Sequence, residues 1–343
     1  MARRDRQAPL ASEAGPPASI SDCGTAPDAV PVRIGVSACL VGQPVRYDGG
    51  HKRNDLLVDT LGQVVQFVPV CPEVEVGLGV PRPTLRLVMN AGQTRLRVTD
   101  TGADQTHAMR RYARRRTAGL ARQHISGYVL KKNSPSCGIE GVPVHGANGI
   151  LSRNGRGLFA RALLERYPNL PVEDEGRLND PRLRENFIER VFAYRRLRSF
   201  FASRWTLAGL LAFHAAHELQ LMAHAPSAWA KIGALIAGAR KLPRAEIMRR
   251  YESVFMQALK RPATRARHAK VLRRAMGCLR GRIDHASRME ILALIEDYRL
   301  GLRPLIEPLS LVRHYARLYD VGYLKGQYYL EPDARELMLR NHV

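Results

Sequence analysis

Cysteine is scarce: the chain has five in 343 residues, Cys23, Cys39, Cys71, Cys137 and Cys278, and no two form a C-x-x-C pair. An odd number argues against a disulfide framework, and the missing pair argues against zinc-ribbon and thioredoxin motifs. No run approaches 18 apolar residues, so no membrane span is expected. The start, "MARRDRQAPLASEAGPPASISD", lacks the apolar middle of a secretory signal. Its Pro, Ala, Ser and Gly content predicts a disordered tail over 1–30 and a cytoplasmic protein. There is no internal repeat, and no obligate protein partner is implied. The P-loop pattern G-x-x-x-x-G-K-[ST] is also missing, which removes the activating nucleotide domain that sulfur insertion would need.

Acidic residues are outnumbered, 31 against 54 basic ones, for a formal charge of +23. The excess is uneven. Residues 181–343 hold 30 Lys and Arg against 14 Asp and Glu, and the stretch 240–282 has 14 basic residues against Glu246 and Glu252. Such a field suits a polyanion, with a merely soluble basic surface as the bland alternative. Arg249, Arg250, Arg265, Arg267, Arg273 and Arg274 represent the expected contact surface. Arg enrichment can also follow from GC-rich coding and decides nothing alone.

The 45% hydrophobic content supports ordinary folded cores. "VRIGVSACL", "VVQFVPVC" and "SGYVLKK" read as strands, "TRLRV" as a strand of a hairpin turned at 90–92, and "ADQTHAMRRYARRRTAGLARQH" and "GLFARALLERY" as helices. Together they predict an α/β domain with a largely parallel, Rossmann-like sheet over 31–170. Residues 171–182, polar and punctuated by proline, read as a linker. From 183 to 343 nearly everything has helical periodicity, which predicts an all-α, basic second domain.

Cys39, Cys71 and Cys137 each follow a predicted strand. In an open α/β sheet the loops beyond the strand C-termini build the site, so three loops can bring three thiols together. Three thiolates suit a soft metal, zinc or iron–sulfur, and leave one coordination position open. Three unrelated loop cysteines remain the alternative. Arg46 and Asp48 follow Cys39; Glu73, Arg82 and Arg86 follow Cys71; Ser134 and Ser136 flank Cys137. A carboxylate beside an open metal position can move protons, and Arg can hold a planar or anionic substrate. The bland readings are a turn at Asp48-Gly49 and a helix cap or surface charge at Glu73. His214, His217 and His224 read more readily as helix packing than as ligands, and Cys278 as a small core residue.

With "SACLVGQPVRYDG", "PVCPEVEVGLGVPRP" and "KKNSPSCG" in this order, residues 33–167 resemble the thiouracil desulfidase family. The resemblance implies a 4Fe–4S cluster held by Cys39, Cys71 and Cys137, a catalytic carboxylate at Glu73 and a catalytic serine at Ser136. Arg46, Asp48, Arg82, Arg86 and Ser134 are the expected substrate contacts. "FHAAHELQLMAHAPSAWAKIG" and "GYLKGQYYLEPDARELMLRNHV" resemble an uncharacterised helical domain often fused behind it. Such fusions imply removal of sulfur from 4-thiouridine in transfer RNA. Glu218 departs from that helical family, which often has a basic residue there. Free thiopyrimidines are the alternative substrate. A non-catalytic RNA-binding protein with a structural zinc site is the alternative of another class.

Overall fold

Two four-stranded sheets and a helical layer make up the computed structural model, which describes residues 31–341. The expected tail over 1–30, with Cys23, lies outside the described residues. β1 (Val32–Ser37) leads through a 3-10 turn at Ala38–Val41 and a π turn at Leu56–Thr60 to β2 (Val65–Val70) and the short α1 (Pro72–Glu75). The hairpin β3 (Leu85–Asn90) and β4 (Gln93–Val98) precedes α2 (Thr106–Ala121) and β5 (Ile125–Leu130). A second hairpin, β6 (Val142–Gly146) and β7 (Gly149–Gly155), precedes α3 (Leu158–Arg166) and β8 (Val172–Asp174).

The first sheet is wholly parallel, in the order β2-β1-β5-β8. Its strands are rich in valine and isoleucine and β5 is buried along its whole length, as expected for a sheet covered on both faces. Val32, Ile34 and Val36 pack on Leu57, Leu61, Phe187 and Val191. On the other side Tyr128 packs with Met109, Tyr112 and Phe159. Gly35 lies opposite Tyr128 in the β1–β5 register, and a Cβ there would sit 2.2 Å from the Tyr128 ring. The glycine makes room for the aromatic ring.

The second sheet, β4-β3-β6-β7, was not legible beyond its first hairpin. β7 reads "GILSRNG" and is largely exposed, so its sequence lacks the buried alternation that marks a strand. The stretch 171–182, expected as a linker, contains β8 at the edge of the parallel sheet.

Helices follow: α4 (Pro181–Ala202), α5 (Leu207–Ala216), α6 (Glu218–His224), α7 (Pro226–Ala237), α8 (Arg244–Leu259), α9 (Arg265–Cys278), α10 (His285–Leu300), α11 (Ile306–Leu318), α12 (Gly322–Lys325) and α13 (Ala334–Asn341). α4 starts at Pro181, with the Asp180 carboxylate accepting from the Arg182 and Leu183 amides. It lies directly on the parallel sheet, and its Arg190 Nη2 donates to Glu173 Oε1 on β8 at 2.7 Å, both residues buried. The apolar run over 207–225 forms two helices, broken at His217. All three histidines there are buried. His214 stacks on Trp229 at 3.8 Å, His217 packs between Phe213 and Tyr328, and His224 Nε2 pairs with Glu189 Oε2 at 2.9 Å. No helix among the described residues is long and apolar enough to cross a membrane.

Two outcomes follow from this packing. Gly35→Ala overpacks the space held by Tyr128 and is expected to cost about 1–3 kcal/mol in denaturant unfolding; an unchanged midpoint would show that the ring can move aside. Burial pushes His214 down to about 4 and His217 well below its usual value. The unfolded chain then binds protons that the folded one refuses as pH falls from 6.5 towards 4, so stability drops across that window. His214→Gln should flatten that slope in urea melts at stepped pH.

Candidate active site

The parallel strands end together, and a cavity of about 570 Å³ opens at their C-terminal edge. Cys39, Cys71 and Cys137 all line it. Each is placed by a different local device. Cys39 sits in the 3-10 turn directly after β1, closed by Gly42 at φ 88°, whose amide donates to the Ala38 and Cys39 carbonyls. The Lys52 amide also donates to the Cys39 carbonyl at 2.9 Å, folding the intervening loop back over the edge. Cys71 caps α1, whose first residue is Pro72, and its Sγ donates to the Val45 carbonyl at 3.7 Å.

Cys137 lies on a loop tied from two sides. Ser134 Oγ accepts from the Ser136 and Cys137 amides at 3.2 and 3.0 Å. The first amides of α3 point at the same loop. Gly157 donates to the Gly138 carbonyl, Leu158 to that of Pro135 and Phe159 to that of Ser136. Helix-end amides that lack intrahelical partners are thereby satisfied. A Cβ on Gly157 would lie 2.4 Å from the Ser136 carbonyl, which explains glycine there.

Burial raises all three thiols. Cys39 is pushed up to about 11, with Cys71 adding to the effect; Cys71 also rises; and Cys137 rises well above its usual value although Ser37 pulls it down. Among the described residues no three His, Cys, Asp or Glu side chains converge closely enough for one metal ion. The thiols ring the cavity without meeting at a point.

Glu73 projects from α1 into the same space. Arg82 Nε and Nη2 both donate to its Oε2, at 3.0 and 2.8 Å. The same guanidinium donates to the Gly79 carbonyl at 2.9 Å and the Val45 carbonyl at 3.0 Å, so its donors are taken up inside the protein. A second carboxylate was missed by sequence reading. Glu175, just after β8, lines the cavity, pairs with Lys131 and accepts from the Lys132 amide at 2.8 Å. Its signal, "VEDEG", is a run of acids that looks like any polar connection. Ser37, Lys52 and Tyr47 also line the cavity, and Tyr47 is 43% exposed there with Arg46 over its ring.

Residues 34–175 match the model for 2-thiouracil desulfurase, and residues 218–333 match one described as a protein of unknown function, DUF1722. Uncharacterized protein YbgA of Escherichia coli (strain K12) is 30% identical over 48% of this chain and 98% of its own. Uncharacterized protein YbbK of Bacillus subtilis (strain 168) is 31% identical over 42% of this chain and 97% of its own. The chain belongs to the 2-thiouracil desulfurase family. A solved structure titled 4Fe-4S-dependent thiouracil desulfidase TudS is 36% identical, covering 43% of this chain and 94% of that one, with a TM-score of 0.36.

For this desulfurase-family chain the expected site residues divide. Cys39, Cys71, Cys137, Glu73, Arg46, Arg82 and Ser134 all line the cavity. Ser136 does not: its hydroxyl is fully buried and has no hydrogen-bond partner. Asp48 is exposed and makes a local turn, accepting from the Gly50 amide at 3.0 Å, which is the bland alternative for it. Arg86 is exposed on β3, paired across the hairpin with Arg97, and lies away from the cavity. The six arginines expected to grip RNA are largely occupied within the protein. Arg249 and Arg250 share Glu246, one turn away on α8; Arg273 pairs with Glu296; Arg274 pairs with the buried Glu218. Arg267 donates to the His224 carbonyl at 2.8 Å, and Arg265 packs on Gly301.

Because Arg82 is buried and clamps Glu73, Arg82→Met strips a nearly buried carboxylate of its partner. A loss of about 3 kcal/mol in chemical denaturation is expected. A loss below about 1 kcal/mol would show that the pair does not hold the loop.

Proposed function

We propose that this chain is a desulfidase that replaces the sulfur of a thiolated uridine in transfer RNA by oxygen. The observation that carries the reading is the ring of three thiols, from three separate strand ends, around a cavity that also holds Glu73. An all-sulfur donor set suits a soft metal. Iron–sulfur clusters take cysteine thiolates as their ligands. Cys39, Cys71 and Cys137 would therefore hold a 4Fe–4S cluster. When bound, it supplies a soft Lewis acid for the sulfur of the substrate.

The chain's own residues do the rest. Arg82 contacts only Oε2 of Glu73, which leaves Oε1 to take a proton from water. The water oxygen bonds to the ring carbon, the carbon–sulfur bond breaks, and the sulfur departs as hydrosulfide. No electrons enter or leave, so no external redox partner is called for. Tyr47, exposed at the mouth, offers a flat face to a pyrimidine. Ser136 keeps its expected part only as an unspent buried donor beside Cys137, for a hydroxyl left without a partner costs about 1–3 kcal/mol.

The overall charge of +23 favours RNA over the free base. A thiolated base within folded RNA must be opened out at a cost of a few kcal/mol, which phosphate contacts can offset. Free thiopyrimidines are the second reading, favoured by the cavity itself, whose size is that of an ordinary small-molecule site.

The test is anaerobic reconstitution with iron and sulfide, followed by incubation with transfer RNA containing 4-thiouridine. Wild type should remove the near-ultraviolet absorbance of the thiobase. Glu73→Gln should slow the loss by about 10²-fold or more, and Cys137→Ala should abolish it. Turnover of free thiouracil but not of thiolated RNA would select the second reading, and full activity of Glu73→Gln would remove the carboxylate step.

A further inference from the structure

We infer that the outer faces of α2 and α3 form the surface that grips the phosphate backbone of RNA; this rests on the RNA reading above and moves the grip from the helical half to the cavity-bearing half. From Asp104 to Glu140 the chain has no acidic residue between them, while Arg110, Arg111, Arg114, Arg115, Arg116 and Arg122 crowd α2 and its end. Helical spacing sets Arg111, Arg114, Arg115 and Arg122 opposite the buried stripe of Met109, Ala113 and Leu120. Arg110 and Arg114 then line a groove of about 490 Å³ between the helices, faced by Arg161 and Arg166 from α3. Glu165 is the one carboxylate lining it.

These arginines differ from Arg249, Arg250, Arg273 and Arg274 of the helical half. Arg116 is paired, with Glu75 at 3.1 Å. Arg110, Arg111, Arg114, Arg115, Arg161 and Arg166 make no ion pair among the described residues, whereas Arg249, Arg250, Arg273 and Arg274 each have a carboxylate. Unneutralised cations release the most counterions on meeting phosphate. The four groove arginines also suit phosphate by geometry, since a guanidinium presents a planar fork of donors.

RNA is favoured over a membrane surface by what the face lacks. None of the exposed large hydrophobic side chains lies on α2 or α3. A helix that sinks into a bilayer interface needs such side chains beside its cations.

The groove is fixed to the cavity through both helices. α3 begins at the Cys137 loop, donating its first amides to it. α2 holds α1 through Tyr112 Oη, which donates to Glu75 Oε2 at 2.8 Å, two residues from Glu73. A strand gripped on this face is therefore held by the two elements that set Cys137 and Glu73.

The experiment measures binding of an unmodified transfer RNA transcript to the full chain across a salt series, without turnover. Arg110→Gln/Arg114→Gln/Arg161→Gln should weaken binding about tenfold or more near physiological salt. It should also reduce the slope of log affinity against log salt by about 2–3, as expected for three lost contacts. The matching Lys triple should keep the wild-type slope, which separates charge from misfolding. Arg249→Gln/Arg250→Gln/Arg273→Gln should move affinity less than about threefold. An unchanged slope in the α2/α3 triple, a larger loss in the helical triple, or no salt-dependent binding by wild type would overturn the inference. So would loss of binding to phosphatidylserine vesicles with RNA binding intact. RNA bound through this face yet left thiolated on incubation would uphold the surface and sink only the RNA-substrate reading.

Discussion

Ser37 lies opposite Val70 in the β1–β2 pairing, and Leu130 lies opposite Asp174 in the β5–β8 pairing. That register makes four strands stop on one line. The residues that follow, Cys39, Cys71, Lys131 and Glu175, are consequently carried to one edge although they are far apart in the chain. A one-residue slip of β1 would swap the faces of its side chains and take Gly35 out from under the Tyr128 ring, so the edge is held by the same packing that holds the core. Tyr128 occupies the space that Gly35 leaves, and this pairing fixes β5 against β1.

Around that edge, polar contacts hold the loops in place. Arg82 is the clearest case: one buried guanidinium joins the loop after β1, through Val45, to the loop after β2, through Glu73 and Gly79. The amides that open α3 do the same for the third loop. Three thiols are thereby kept in a desolvated space in which each rises above its usual value. Burial disfavours thiolate, and a cation bound among the three would reverse that balance.

The parallel strands and the helix-rich second half were legible because valine-rich runs and helical periodicity are local signals. So were the three cysteine motifs, each marked by Gly and Pro next to a strand. The β6–β7 hairpin and β8 were not, because an exposed or three-residue strand acquires its identity from a neighbour rather than from its own pattern. Glu175 was hidden for the same reason. The turn at Asp48 was legible in the Asp48-Gly49 pair, whereas nothing local to Arg82 says that it is spent on Glu73.

Charge shows the same division most clearly. The sequence by itself determined how basic the chain is and where basic residues are dense along it, because composition and order need no folding to be read. Only the tertiary structure decided which of those charges are available. Helical spacing and packing put a carboxylate beside Arg249, Arg250, Arg273 and Arg274, whereas Arg110, Arg111, Arg114 and Arg115 of α2 are exposed and make no ion pair among the described residues. Availability depends on what lies within a few ångströms in space, and distance along the chain does not report that.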